Sequence, residues 1–341
     1  MRKLLLVILL VLLAPASARA AQSVAIFYYP WFGAPSLDGS YQHWAQNNHA
    51  PPFDLGTAFY PMSGPYSSSS RGVVDRQMAE IAATGADEVV SSWWGRGSPE
   101  DERLPTVIAA ANAHGLEVAV HLEPYRGRTL TTLLADVDYL KTLGIYEFYV
   151  YQPQDLPPSD WKALTSQDSD VRFYAQTAMP GFAAAGGFAG LYTYDIRVYG
   201  GNTFGRICAE ARALDLKCAP SVGPGFDSFR GNGDPSVKPR RNGATYDAMW
   251  RAALAAQADF VTITSFNEWN EGTQIEPAAT APRSGYLSYA GTYGVQGRSA
   301  AYAYLARTAY WTGVAAASPP ARISTTRATP SPPRRWPRFA R

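Results

Sequence analysis

Eight short runs rich in β-branched and aromatic residues recur along the chain, over residues 24–29, 88–94, 116–122, 146–151, 171–177, 188–194, 216–222 and 260–266. Between and after them lie stretches whose apolar residues follow a helical period: 73–84, 104–114, 130–143, 159–164, 181–185, 203–214, 245–257 and 299–312. An α/β chain with this alternation is expected to close as a (β/α)8 TIM barrel. The rival, a doubly wound open sheet, lacks the Gly-rich phosphate loop that would follow its first strand. Most connections from a helix into the next strand are short. The segments after the strands are longer and carry the polar and aromatic residues, as a barrel with one active face requires. The first of them, 34–70, is long enough to suggest a functional loop or a lid.

The two ends read differently from the middle. Arg2 and Lys3 precede an unbroken apolar run, 4–13, and Ala18-Arg19-Ala20 has the small-x-small form of a cleavage site. Residues 1–20 are therefore expected to be a signal peptide, with the chain secreted or periplasmic. The apolar run is too short for a comfortable span, and no later stretch could cross a bilayer. Residues 317–341, rich in Pro, Ser, Thr and Arg, are expected to form a disordered basic tail. The catalytic domain would then be 21–316. Nine of the 30 Lys and Arg lie in the two end segments, which hold no acid, so 21 bases face 28 acids between them. A net charge of −7 there argues against nucleic acid as a partner. The two cysteines, Cys208 and Cys218, fall on a helix and the following strand. Export would permit a bridge between them, and the sequence leaves its formation open. No Cys/His spacing matches a metal site, so neither metal nor cofactor is expected, and the protein is expected to be a monomer.

Polar and aromatic residues gather where the strands end. Tyr28, Tyr29 and Trp31 follow the first, Trp93 and Trp94 the second, and His121, Glu123 and Tyr125 the third. Tyr192, Tyr194 and Asp195 close the sixth. The eighth runs into Asn267-Glu268-Trp269-Asn270-Glu271-Gly272, which sets two acids three residues apart just past a strand end. Paired carboxylates among aromatic platforms are the apparatus of glycoside hydrolysis. A solvated acidic loop is the plain alternative, and Asn-Glu-Trp is an odd way to build one. Of the adjacent Trp93 and Trp94, one should be packing. A core histidine is the lesser reading of His121, and Glu276 before Pro277 reads as structural.

The motifs YYPWFG (28–33), SWWG (92–95), HLEPY (121–125) and above all SFNEWNEGTQIEP (265–277) resemble glycoside hydrolase family 99, the retaining endo-α-1,2-mannosidases and endo-α-1,2-mannanases, over residues 24–310. The resemblance implies a (β/α)8 barrel acting on a mannan-like glycan. It implies Glu271 as general acid/base and Glu268 as the group acting on the substrate 2-hydroxyl, with Asn267 hydrogen-bonding near the same hydroxyl. Trp94 would face the next subsite toward the nonreducing end. Tyr29, His121, Glu123, Tyr125 and Tyr194 would line the sugar pocket, and Arg240 or Arg241 would supply a sugar-contacting arginine. The family more often has His where this chain has Asn270, which bears on the leaving-group subsite. A barrel that acts on, or only binds, a different surface polysaccharide is the alternative; two intact acids argue against a binder without turnover.

Overall fold

The computed structural model describes residues 22–281 and 283–317. The expected signal peptide and tail residues 318–341 lie outside the described residues. Ala317, placed at the start of that tail, instead ends the last helix, Ala303–Ala317.

The strands are β1 (Val24–Tyr28), β2 (Glu88–Trp93), β3 (Glu117–Leu122), β4 (Glu147–Val150), β5 (Arg172–Gln176), β6 (Gly190–Tyr192), β7 and β8 (Val261–Ile263). β7 is in two pieces, Lys217–Ala219 and Ser221–Val222. All pairings among these strands are parallel. The first piece of β7 pairs with β6, the second with β8, and β8 pairs with β1 through Val24 opposite Val261. The circuit is therefore a (β/α)8 barrel interrupted at Pro220. Proline has no N–H to give the ladder, although its carbonyl still accepts from the Thr262 N–H at 3.2 Å.

Period-two alternation divides the core. Val24, Ile26 and Tyr28 face outward, into the large apolar layer under the helices. Ala25, Phe27 and Tyr29 face inward with Val90, Ala119, Tyr149, Tyr174, Tyr192, Tyr194 and Ala219. Large rings from β1, β4, β5 and β6 thus meet small residues from β3 and β7, which fills the interior without a channel. On β8, Val261 and Ile263 face outward and Thr262 inward, where its hydroxyl bonds Ser221 Oγ at 2.7 Å. Phe266, which strict alternation would turn inward, joins the outer layer against Tyr28, because the regular strand has ended at Ile263.

Two further expectations need adjustment. The helix expected from 104 spans Pro99–Ala113: Ser98 accepts the Asp101 N–H, Pro99 opens the first turn, and Glu100, Asp101 and Glu102 face the positive end of the helix. The long loop 34–70 is no loose flap. Trp44, Leu55, Phe59 and Tyr66 are buried, Trp44 stacks on Phe32 at 4.1 Å, and its indole N–H donates to the Tyr66 carbonyl at 2.8 Å.

Cys208 and Cys218 form a disulfide with Cα atoms 5.2 Å apart, joining the helix Gly201–Arg212 to the first piece of β7. Replacing both by alanine should lower unfolding stability by about 2–3 kcal/mol, the loop-entropy value for so short a ring. Urea denaturation of the two proteins, without reductant, measures it.

Candidate active site

After β8 the chain makes a tight turn in which the Trp269 N–H donates to the Asn267 carbonyl and the Gly272 N–H to that of Trp269. Glu268 and Glu271 both project from this turn. Glu268 is 3% exposed, and its Oε1 accepts the backbone N–H groups of Asn270 at 3.0 Å and Glu271 at 3.3 Å. Glu271 is half-buried and lines a cavity of about 160 Å³ with Tyr151, Tyr194, Asp195, Arg197, Phe226, Asn232, Asp234 and Thr273. Burial pushes the Glu268 carboxyl well above its ordinary range, and the charge of Glu271 adds to this. Burial likewise raises Glu271 to about 7, with Asp195 and Glu123 adding and Arg197 opposing. Two neighbouring carboxyls raised together titrate as a pair, so the turn keeps a proton near neutrality.

Four other expected residues converge here. Tyr29, just past β1, and Tyr194, just past β6, are hydrogen-bonded through their hydroxyls. Tyr194 has a left-handed backbone (φ 49°), held by Ser221 Oγ on its N–H and Thr264 Oγ1 on its carbonyl. The His121 ring lies under that of Tyr194, with centroids 5.3 Å apart. His121 Nε2 is 2.8 Å from the Tyr192 hydroxyl and Nδ1 is 3.0 Å from Glu123 Oε1, an oxygen that accepts from Ser92 Oγ at 2.8 Å. His121 is 1% exposed, so it supports the pocket wall from behind.

A family model for glycosyl hydrolase family 99 matches residues 20–316. The chain is 33% identical to a glycoprotein endo-alpha-1,2-mannosidase-like protein of Danio rerio, over 78% of this chain and 74% of that protein. It is 32% identical to the glycoprotein endo-alpha-1,2-mannosidase of Xenopus laevis, over 77% and 71%. The GH99 endo-alpha-mannosidase of Bacteroides thetaiotaomicron superposes with a TM-score of 0.77 at 26% identity, covering 86% of this chain and 98% of that one. The chain belongs to glycosyl hydrolase family 99. It is a glycoside hydrolase, and the turn of Glu268 and Glu271 stands at the C-terminal end of its barrel.

Not every residue expected at the site of this family 99 enzyme reaches the acids. Asn267 is fully buried: its Oδ1 accepts the Tyr29 N–H at 2.7 Å, and its Nδ2 donates to the Tyr29 carbonyl at 3.0 Å and to the Tyr66 hydroxyl at 3.3 Å. It extends the β8–β1 pairing past the strand ends: both Nδ2 hydrogens are committed to the protein, and Oδ1 keeps one acceptor position. Tyr125 directs its hydroxyl to Asp136 on the helix Leu130–Thr142, and its ring packs edge-on to Trp93 at 5.8 Å. Arg241 is exposed and lines a separate cavity with Lys238, Arg240 and Tyr289. Arg240 donates to the carbonyls of Gly272 and Gln274 and lies over the rings of Phe59, Tyr289 and Tyr304, so it props the Glu268–Glu271 turn from outside. Trp94, one residue past β2, is 37% exposed and makes no ring contact among the described residues, while Trp93 is buried with its indole N–H on Asp101.

The wall formed by Arg197, Phe226, Asn232 and Asp234 had no signal of its own. These residues come from the 193–200 segment and from a long loop that contains a small hairpin, Phe226–Asp227 with Val237–Lys238. The hairpin abuts the turn backbone to backbone. The Asp227 N–H donates to the Glu271 carbonyl at 2.8 Å. A Cβ on Gly231 would fall 2.4 Å from the Asn270 carbonyl oxygen, and one on Gly272 (φ 64°) 2.7 Å from that of Asp227. Asn270 also ties in the long loop, donating from Nδ2 to the carbonyls of His43 and Gly56.

Behind the turn, Glu276 accepts from the Tyr66 hydroxyl (2.7 Å), the Trp269 indole N–H (2.7 Å) and Gln77 Nε2 (2.8 Å), with Arg76 at 3.5 Å. Glu276→Ala would leave these donors buried without an acceptor and should cost about 3–5 kcal/mol. Glu276→Gln should cost less, because a rotated Gln77 amide can accept from it. Denaturant midpoints of the two variants give the order.

Proposed function

We propose that this family 99 hydrolase is an exported, retaining, endo-acting α-mannosidase that cleaves internal α-1,2-mannoside-type linkages with help from the substrate's own 2-hydroxyl. The observation that carries the mechanism is the origin of both acids in one tight turn. Ordinary retaining glycosidases hold two carboxyls about 5–5.5 Å apart on opposite sides of the anomeric carbon. Residues three apart in one turn can hardly flank that carbon, but they can reach the leaving oxygen and the neighbouring 2-hydroxyl.

In this scheme Glu268 takes the proton of the 2-hydroxyl as O2 attacks C1, and Glu271 protonates the departing glycosidic oxygen. Water then adds to C1 with Glu271 as base, the three-membered ring opens, and O2 recovers its proton from Glu268. Two inversions at C1 give retention. An α-mannoside has O2 and the aglycone trans and both axial, as the attack requires; in an α-glucoside they are cis. The reaction needs one proton on the pair, and the raised affinities of both groups supply it near neutrality. Burial by itself favours that proton on Glu268. The two N–H groups on Glu268 Oε1 work against this, and a bound substrate adds a hydroxyl donor to Glu268 and an ether acceptor to Glu271. Export is supported by the leader-like start and by the Cys208–Cys218 bridge, which suits an oxidising compartment.

Glu268→Gln and Glu271→Gln should each lower kcat by about 10²–10⁴-fold or more with the fold retained. A 2-deoxy substrate should bind but scarcely turn over, and an α-1,2-linked mannan should release new reducing ends where an α-glucan does not. Near-normal rates for Glu268→Gln, or for the 2-deoxy sugar, overturn the mechanism.

The pH profile gives an independent check. Glu271 must be protonated to act as acid and its affinity is raised to about 7. kcat/KM should therefore fall as pH rises through that range, and fall again at low pH, where a second proton on the pair removes the Glu268 base. Initial rates across the pH range, with circular dichroism to confirm folding, decide it.

A further inference from the structure

Arg197 and Asp195 lie on the segment after β6, and Asp234 lies on the loop after β7. Arg197 Nη1 donates to Asp234 Oδ2 at 3.0 Å, and its Nη2 is 3.6 Å from Asp195 Oδ2. The guanidinium also sits over the Phe226 ring, 5.5 Å from its centroid. Asp195 is itself fixed, because its Oδ1 accepts the N–H groups of Arg197 and Val198. One cation thus ties two βα loops together along the wall that faces Glu271. Among the described residues lining that cavity, Arg197 is the only Lys or Arg.

The groups that act on Glu271 come from every side. Glu268 comes from its own turn, Glu123 from β3 with His121 behind it, and Tyr151 from the end of β4. Tyr194, Asp195 and Arg197 follow β6, and Asp234 comes from the hairpin loop. Four carboxylates therefore surround the acid against a single opposing cation. Removing that cation and removing one of the anions must act on Glu271 in opposite directions.

We propose that Arg197 is a positioning residue for the acid: by bridging Asp195 and Asp234 it fixes the cavity wall against Glu271, and its charge sets how far into alkaline pH the hydrolase works. The proposal rests on Glu271 being the proton donor. Without Arg197 the surrounding carboxylates act unopposed, Glu271 keeps its proton to higher pH, and the descending limb of the rate profile moves up. Without the Asp234 charge, one anion is lost and the guanidinium is released toward Asp195, and the limb moves down. Arg197 is exposed and already paired, so the shift should be about 0.5 pH unit, below the 1–3 units of a direct, unscreened neighbour.

The test is the pH dependence of kcat/KM on an α-1,2-linked mannan for Arg197→Gln, Arg197→Lys and Asp234→Asn, at low and at high salt. The expected result is an upward shift for Arg197→Gln, a return toward the parent profile for Arg197→Lys, and a downward shift for Asp234→Asn, all smaller in high salt. A wall that matters only for shape would lower rates at every pH and leave the limb in place. Unmoved limbs, or shifts of the same sign in the glutamine and asparagine variants, overturn the inference. Glu271→Gln separates this failure from that of the mechanism: if it keeps the parent rate and limb, Glu271 is not the donor and the mechanism falls; if it is inactive while the Arg197 limb stays put, only the present inference falls.

Discussion

The buried Glu276 carboxylate organises the end of the barrel on which the chemistry stands. Its two oxygens gather Tyr66 from the long first loop, Gln77 from the helix Arg71–Ala82 and Trp269 from the catalytic turn itself. Tyr28 of β1 reaches the same network by donating its hydroxyl to Gln77 Oε1 at 2.7 Å. A buried acid is costly unless its hydrogen bonds are made, and here the partners come from three separate pieces of chain, with β1 tied in through Gln77. Nine residues thus hold Glu268, Glu271 and Glu276, all with raised proton affinity and all desolvated. Only Glu276 has its oxygens committed to other side chains. Because it is satisfied, the turn can hold the other two with capacity left for a substrate.

The β8–β1 closure transmits that rigidity. Regular pairing stops at Ile26 and Ile263, and Asn267 continues it with a side chain in place of backbone. The carboxamide matches the donor and acceptor of Tyr29 and so places the Tyr29 hydroxyl against that of Tyr194. Asn267 thus supports the site through Tyr29, a role that the resemblance did not imply.

Much of the barrel was legible because burial on both faces leaves continuous β-branched and aromatic runs, and all eight strands lie within the expected ones. The two acids, Tyr29, His121, Glu123 and Tyr194 were legible because polar groups at strand ends are conspicuous in such a fold. What sequence could not supply was direction. Whether the Tyr125 hydroxyl turns to the cavity or to Asp136 depends on a helical residue 11 positions on. Whether Arg240 meets sugar or the back of the turn depends on rings from distant loops. Arg197 and Asp234 lie 37 positions apart, and no local pattern marks either as the other's partner. The break at Pro220 was visible as a residue, but its role as the join between two half-strands emerges only from the pairing.

The contacts at Gly231 and Gly272 bear on how such a site can diversify. At both positions backbone lies where a side chain would have to go, so the catalytic turn and the hairpin beside it form a seat with no free volume. Substitution there is closed off, and an insertion would displace the acids themselves. Asn232 and Asp234, by contrast, stand on the same loop with side chains at the cavity. In a directed-evolution library the yield of folded, altered enzymes should therefore come from the rim of this loop, and its base should tolerate nothing larger than glycine.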